Sequence, residues 1–167
     1  VATARAIWKQ LRAETHSEDG PPTADVILMT GRMRPYDRDR IIQRWEGLLA
    51  ADEKQDALER PVILVTTQCL EVGADFSFDV LLTECASLDA PRPRFGRLNR
   101  LGITERTEAG ILIRPGQVST VQQLKKLEES GKIQDPIYGN SLAATWNWLT
   151  EHAEADEGGA LWIDMGI

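Results

Sequence analysis

Four short, mostly apolar runs limit the folds open to this chain more than any other feature. They span residues 26–29, 62–66, 79–83 and 110–114. Apolar runs of this length, followed by polar or turn-forming residues, are typical of strands buried in a sheet. Segments with helical periodicity lie between them, one beginning at Pro35 and one within the arginine-rich stretch 91–100. This alternation predicts an α/β fold, a parallel sheet with helices on both faces.

Composition excludes several classes of protein. The 167 residues are enough for one well-buried domain, and the formal net charge of −7 excludes a generally basic nucleic-acid wrapper. Any nucleic-acid contact must come from local patches, for which the arginine-rich segments 32–44 and 92–100 are the candidates. No apolar run has bilayer-spanning length, and the N-terminus lacks the pattern of a signal peptide. We therefore expect a soluble, cytoplasmic protein.

The cysteines and histidines, residue types that can bind metals or form disulfides, are scattered along the chain. Cys69 and Cys85 lie in apolar surroundings without CxxC spacing, which favours reduced core thiols. His16 and His152 are isolated from other ligand-type residues. The sequence predicts no metal site.

Polar residues cluster after three of the predicted strands, where ligands of parallel sheets bind. In the loop 66–75, Gly73 permits a close backbone approach, and Asp75 is able to accept a hydrogen bond from a ribose hydroxyl or to pair with an arginine. An ordinary turn capped by Asp75 explains this loop equally well.

The stretch P-R-P-R-F-G-R-L-N-R, residues 91–100, contains four arginines. The spacing of Arg97 and Arg100 predicts two guanidinium groups on one helical face, one turn apart. Paired guanidinium groups suit a polyphosphate, because they are always charged and present several donors in a plane. A solvated basic helix face is the alternative for an isolated R-x-x-R pair.

Together these motifs resemble a known family. The order V-T-T-Q-C-L-E-V-G-A-D, D-V-L-L-T-E and R-F-G-R-L-N-R is similar to motifs V and VI of superfamily 2 helicases, and T-G-R-M-R-P-Y-D-R resembles the segment before them. More narrowly, F-G-R-L-N-R-L-G resembles the CRISPR-associated helicase–nuclease of type I interference, which unwinds and degrades DNA marked by the Cascade complex. The resemblance implies a second RecA-like motor domain over residues 1–115, with its first strand missing, as in a fragment of a longer polypeptide.

The resemblance also implies roles for individual residues. Arg97 and Arg100 match the catalytic arginines that reach the γ-phosphate of ATP bound on the first motor domain, where they stabilise charge in the transition state. The positions implied to bind the nucleotide are Gly73, Asp75 and Arg94.

Three further positions are implied to contact nucleic acid. Thr67 matches a hydroxyl that contacts the backbone of the strand, and Arg32 and Arg38 follow the same path. For these two arginines, ordinary surface solvation is an equally good interpretation.

The implied cofactor is ATP with Mg²⁺, bound mainly by the first motor domain. This chain has no G-x-x-x-x-G-K-[ST] loop and no D-E-x-[DH] motif, so we expect no ATPase activity from it alone. The implied partners are the first RecA-like motor domain, the nuclease domain, single-stranded DNA and the Cascade surveillance complex, with no membrane.

Two prolines depart from the family pattern. Pro93 stands where relatives usually have Gln, and Pro91 where they have an aliphatic residue. If Asp89 caps the helix, both prolines fall near its first turn and cost little. The missing Gln leaves two interpretations open, a working motor half or a hydrolysis-deficient module that only binds nucleic acid or a partner. An unrelated α/β nucleotide-binding enzyme would need its own phosphate loop.

The alternation of strands and helices ends before residue 116. The pattern of residues 116–167 predicts a short helical extension leading toward an accessory domain. Ser119 opens a capping box before a helix that Gly131 ends, and a second helix spans 142–152. Trp146 and Trp148 on that helix fit either the core or a base-stacking role.

Overall fold

The computed structural model describes residues 1–16, 20–49, 58–67, 76–103, 107–118, 121–133, 135–155 and 161–163, without the side chains of residues 48, 49, 115 and 121. The chain divides into two compact units, Val1–Ser77 and Phe78–Ile167. Each unit combines helices with a parallel pair of strands. The predicted α/β fold is confirmed, whereas the predicted division at residue 115 stays a prediction.

The first unit is built on one parallel pair of strands. Its elements in chain order are α1 (Ala2–Thr15), β1 (Asp25–Met29), α2 (Pro35–Leu49) and β2 (Val62–Thr66). Asp25 lies opposite Val62 and Met29 opposite Thr66, so the two strands are in register along their full length. Because α2 connects two parallel strands, both strands end at the same edge of the pair.

Helix α1 packs on this pair through its apolar side. Ala4 is buried, and the Trp8 indole Nε1 donates a hydrogen bond to the carbonyl of Val26 on β1 at 3.1 Å. Met29 and Phe76 are among the largest fully buried side chains in the described part of the chain. Ile7, on the same helix, is exposed.

The second unit contains the other parallel pair and the three remaining α-helices of the described residues. Its elements are β3 (Val80–Glu84), α3 (Pro91–Phe95), β4 (Glu108–Leu112), a 3₁₀ turn (Pro115–Gln117), α4 (Val121–Glu129), α5 (Ser141–His152), β5 (Glu154–Ala155) and β6 (Leu161–Trp162). Strands β5 and β6 pair in the antiparallel sense. The core of this unit includes Cys85, Leu124, Leu142 and Leu149.

The apolar runs located the strands, and their pairing differs from the expectation in two respects. The sequence predicted a single sheet, whereas hydrogen bonding among the described residues forms separate pairs, β1 with β2 and β3 with β4. Strand β3 was also expected to be buried on both faces, but Val80 is 60% and Leu82 is 71% exposed. An apolar run specifies a strand, but not which neighbours will pair with it or cover it.

Leu82 lies over a glycine of the neighbouring strand. A Cβ atom placed on Gly110 would come within 2.8 Å of the Leu82 Cδ2 atom. Val80, Leu82 and Leu112, which is 57% exposed, lie on one face of the β3–β4 pair, and the exposed Glu84 and Glu108 lie on the same face.

The helical extension follows its sequence pattern closely. Gly131 adopts φ +65° just beyond α4, and the N–H of Lys132 donates to the carbonyl of Leu127, which is the expected glycine-terminated helix end. Ser119, the predicted cap of α4, lies outside the described residues. No helix in the described part of the chain is long and apolar enough to cross a bilayer.

Asp135 organises the loop between α4 and α5. Its Oδ1 accepts hydrogen bonds from the backbone N–H groups of Ile137 and Tyr138, each at 2.8 Å, and its Oδ2 accepts one from Gln117 Nε2 at 3.1 Å. The bond from the Tyr138 N–H, followed by those from Ile137 and Gln117, lowers the pKa of Asp135 despite its partial burial.

This arrangement predicts an acid-dependent contribution to stability. A carboxyl group whose pKa is lower in the folded protein stabilises it above the unfolded pKa, about 3.9 for Asp, and loses that contribution as the pH falls further. We expect Asp135→Asn to be less stable than the wild type at pH 7, with the difference shrinking below about pH 4. Urea unfolding at several pH values measures this. The exposed Glu128→Gln serves as the control for losing one surface charge. A difference for Asp135→Asn that stays constant from pH 7 to pH 3 would contradict the assignment.

Candidate functional site

The arginine segment begins as a short helix and leaves it earlier than expected. Helix α3 ends at Phe95, and the N–H of Gly96 donates to the Arg92 carbonyl at 3.0 Å. The prediction that Arg97 and Arg100 share one helical face, one turn apart, is therefore wrong. Local periodicity favours a continued helix, but Gly96, a weak helix former, is the C-cap of α3, and the backbone beyond it pairs with a distant residue.

That distant residue is Phe78, which precedes β3. Its N–H donates to the Arg97 carbonyl at 2.8 Å, and its carbonyl accepts from the Asn99 N–H at 2.8 Å. The two bonds form an isolated parallel bridge between Phe78 and Leu98. Backbone groups that a helix would have used are thus paired in the manner of a strand.

Arg94 fastens α3 to the end of β3. Its Nη1 donates to the Thr83 hydroxyl at 2.9 Å and to the Glu84 carbonyl at 3.1 Å. Thr83 is buried, and the carboxylate of Glu84 pairs with Arg114 at 3.2 Å on the outer surface. Arg94 thus has a structural role, and its predicted contact with a nucleotide stays a prediction.

The start of α3 differs in one detail from the expectation. Ala90, not Asp89, is the N-cap, and no side chain caps the helix. The Asp89 carboxylate instead accepts a hydrogen bond from the Ser87 side chain, which together with backbone N–H groups lowers its pKa. Pro91 occupies the first helical position and is buried, whereas Pro93 is exposed. Both prolines lie where few backbone hydrogen bonds are lost, as predicted.

In the first unit, Thr67 joins the ends of the two strands. The N–H of Gly31 donates to its hydroxyl at 3.1 Å, and its own N–H donates to the Met29 carbonyl at 3.2 Å. Arg32 follows Gly31 directly and is exposed. The structure therefore brings Thr67 and Arg32 to the same strand ends, as the sequence predicted.

Arg38 lies one helical turn into α2, with 43% of its side chain exposed and Nε 3.7 Å from Asp39 Oδ1. Its Nε is buried without a hydrogen-bond partner. Nearby, the Arg34 guanidinium pairs with Asp37 at 2.6 Å and lowers the pKa of that carboxyl. Gly73 and Asp75, the predicted nucleotide positions of the loop 66–75, lie outside the described residues.

Cys85 follows β3 directly and is free and buried, as expected of a core thiol. Burial raises the pKa of this thiol, which keeps it protonated and unreactive at neutral pH. Cys69 lies outside the described residues.

Residues 1–102, including both the Thr67 strand ends and the arginine segment, match the family model Cas3-like_C_2, described as CRISPR-associated nuclease/helicase Cas3, C-terminal. The chain belongs to this family. The resemblance to the CRISPR-associated helicase–nuclease, inferred from the motifs, is confirmed.

Curated Cas3 proteins show the same relationship at the level of sequence. The chain is 29% identical over 147 residues to the CRISPR-associated helicase Cas3 of Thermoproteus tenax, covering 87% of this chain and 22% of that protein. It is 33% identical over 82 residues to the CRISPR-associated nuclease/helicase Cas3 of Haloferax volcanii, covering 48% of this chain and 8% of that protein. The chain thus spans about a fifth, or less, of the length of these Cas3 relatives.

Solved Cas3 structures share the fold. The crystal structure of T. fusca Cas3-AMPPNP superposes with a TM-score of 0.68 at 19% identity, covering 98% of this chain and 18% of that one. The crystal structure of T. fusca Cas3-ATP gives the same TM-score of 0.68, covering 99% of this chain and 18% of that one. The α/β architecture of this chain is therefore that of a Cas3 segment.

Sequence reasoning missed three residues that shape the arginine segment: Thr83, Phe78 and Asn99. The Asn of R-L-N-R was a usable signal, because Asn tolerates left-handed turns. Nothing local marks Phe78 or Thr83, whose roles arise from contacts across the fold.

The Arg94 anchor is testable through the Thr83 hydroxyl. Thr83→Val keeps the shape of the side chain but removes an acceptor from a half-buried guanidinium, so we expect a loss of about 1 kcal/mol in the free energy of unfolding. Thr150→Val is the matched control, because that exposed hydroxyl bonds only within α5, to the Trp146 and Asn147 carbonyls. Its cost should stay below about 0.5 kcal/mol. Urea unfolding compares the two, and equal losses would argue against an anchoring role.

Proposed function

We propose that this chain is the C-terminal motor half of an ATP-dependent superfamily 2 DNA helicase, acting within a CRISPR interference helicase–nuclease. The match of residues 1–102 to the Cas3 C-terminal family carries this proposal, because those residues include the whole arginine segment. T. fusca Cas3 has been crystallised as Cas3-AMPPNP, Cas3-ADP and Cas3-ATP, which supports a nucleotide as the ligand.

In the proposed mechanism, Arg97 and Arg100 stabilise negative charge on the γ-phosphoryl group as it is transferred to water. Guanidinium groups suit this role because they remain charged at any physiological pH and need no proton transfer. Arg97 is half-buried on the Phe78 bridge, and Arg100 is exposed beyond it. A backbone held on both sides of Leu98 lets such side chains meet a phosphate with little reorganisation. Gly73, Asp75 and Arg94 are proposed to line the nucleotide.

The nucleotide itself would be bound mainly by the first motor domain. Among the described residues, no three His, Cys, Asp or Glu side chains lie close enough together to hold a metal ion. We assign the Mg²⁺ that accompanies ATP to that other domain, because the resemblance implies that its ligand lies in the D-E-x-[DH] motif, which this chain does not contain. This chain supplies arginines to a shared active site and is not proposed to hydrolyse ATP by itself.

The proposed path for single-stranded DNA runs over the strand ends of the first unit. The Thr67 hydroxyl bonds to the N–H of Gly31, the residue before the exposed Arg32, and hydroxyl and guanidinium groups both suit a phosphodiester backbone. Arg38 is proposed to extend the same path from α2. Contacts of this kind position a strand without reading its sequence, as a translocating motor requires.

The proposed partners follow from the family. They are the first RecA-like motor domain and the nuclease domain of the full-length protein, and the Cascade surveillance complex. A chain of the structure described as a CRISPR RNA-guided surveillance complex, pre-nicking, shares this fold with a TM-score of 0.65 at 20% identity. We propose that residues 1–115 form the motor domain and 116–167 a linking extension, and that the protein acts in the cytoplasm, where its DNA substrate lies.

The decisive test is ATP turnover by the chain joined to its native first motor domain, with and without single-stranded DNA. We expect DNA-stimulated turnover in the wild type and a loss on the order of 10³-fold in kcat for Arg97→Ala, because an arginine finger acts on the transition state. Arg92→Ala is the matched control, since Arg92 is an exposed arginine on α3 of the same segment. Equal effects of the two substitutions would overturn the assignment of Arg97.

Pro93 stands where relatives usually have Gln, and Pro93→Gln, measured in the same assay, decides whether the chain is a working motor half or a hydrolysis-deficient module. Turnover in the wild type shows that the exposed proline is tolerated. Turnover that is absent in the wild type and appears only in Pro93→Gln would identify a hydrolysis-deficient binding module. Single-stranded DNA binding, measured in parallel, should then persist without hydrolysis.

A further inference from the structure

Asn99 has an unusual backbone conformation between the two arginines. Its φ angle is +43°, and among the described residues no other non-glycine residue has a positive φ. L-residues rarely adopt this region because Cβ approaches the backbone too closely, and Asn is one of the few that tolerate it. A non-glycine residue with positive φ between two proposed active-site arginines calls for a functional explanation.

The contacts on either side fix this conformation in place. Phe78 pairs with the Arg97 carbonyl and the Asn99 N–H, each at 2.8 Å, so the chain reaches Asn99 in a set direction. The Asn99 carbonyl then accepts from the Gly102 N–H at 2.8 Å, and Gly102 itself has φ +66°. The chain therefore turns sharply at Asn99 and closes a short turn beyond it.

The turn at Asn99 sets the direction of the Arg100 side chain. In a continued helix, Arg100 would lie one turn from Arg97 on the same face. A left-handed residue between them redirects the backbone, so the relative direction of the two side chains depends on the φ angle at position 99. A change there would alter Arg100 relative to Arg97 without touching either guanidinium group.

We propose that Asn99 is a positioning residue for Arg97 and Arg100, and that its left-handed backbone conformation sets their geometry toward the γ-phosphate. This inference rests on the proposed motor function. It assigns the role to the backbone conformation at position 99, and the variants below separate this role from the chemistry of the amide side chain. The required property is tolerance of positive φ, which glycine shares and β-branched residues lack.

The test is steady-state ATP turnover by the full-length protein with single-stranded DNA, measured as kcat and KM for Asn99→Gly, Asn99→Ala and Asn99→Val. We expect Asn99→Gly to match the wild type, Asn99→Ala to be slower, and Asn99→Val to lose about 5- to 30-fold in kcat, following the cost of the left-handed conformation. KM for ATP should stay within about twofold, because uniform binding of ATP is unaffected when only the transition state loses stabilisation.

Gly131→Val is the matched control for backbone strain alone. Gly131 has φ +65°, and a Cβ atom there would meet nothing within 4 Å, so the substitution adds strain without steric overlap. It should lower the thermal unfolding temperature to an extent similar to Asn99→Val and leave kcat unchanged. Activity is compared well below the unfolding temperature of every variant.

Two outcomes would overturn the inference while leaving the motor function intact. If Asn99→Gly is as slow as Asn99→Val, turnover depends on the amide side chain. If Asn99→Val is as fast as the wild type, the backbone at position 99 does not set the geometry of the two arginines. Arg97→Ala, run alongside, separates these from failure of the motor proposal. If Arg97→Ala turns over ATP like the wild type, the arginine assignment and the inference built on it both fail.

Discussion

The hydrogen bonds from Arg94 to Thr83 and to the Glu84 carbonyl are the interaction on which the candidate site depends. Helix α3 has only five residues and no side-chain cap, so it has little stability of its own. A charged donor shared between a buried hydroxyl and a strand-end carbonyl holds it against β3. Together with the Phe78 bridge, this anchor gives the following arginines a fixed backbone. A short, weakly helical segment can then serve as a rigid part of a site.

Local sequence patterns predicted much of the architecture, because apolar runs and the periodic spacing of apolar residues can be recognised within a short segment. The apolar run 62–66 predicted the first and last residues of β2 correctly, and the predicted helix at 142–152 begins one residue after α5 does. Gly131 ended α4 as expected, since only a residue that accepts positive φ suits that position. The predicted continuation of α3 through Arg100 failed for two reasons. Gly96, a weak helix former, is the C-cap of α3. Beyond it the backbone pairs with Phe78, which lies 20 residues before Leu98 in the sequence and leaves no local signal.

For the candidate site, too, the sequence predicted which residues belong to it but not the contacts that each side chain makes. The motifs identified the family, and the structure places Thr67 and Arg32 at adjacent strand ends as parallel topology requires. What the sequence could not give is how each polar group is used. The structure shows Arg94 bonded to Thr83 and Glu84, a structural role that its motif did not indicate, and its predicted contact with a nucleotide stays a prediction. The positive φ of Asn99 is likewise a product of contacts on both sides and not of its own preference alone.

The exposed apolar side chains Val80, Leu82 and Leu112 on one face of the β3–β4 pair have a consequence for handling the chain on its own. Apolar side chains that are 57% to 71% exposed favour contact with other apolar surfaces, including the same side chains of a second copy. A net charge of −7 opposes such contact by mutual repulsion, and added salt weakens that repulsion. Self-association of the isolated chain should therefore increase with ionic strength. A larger apparent mass in high salt would reflect uncovered sheet surface and would not by itself indicate a physiological oligomer.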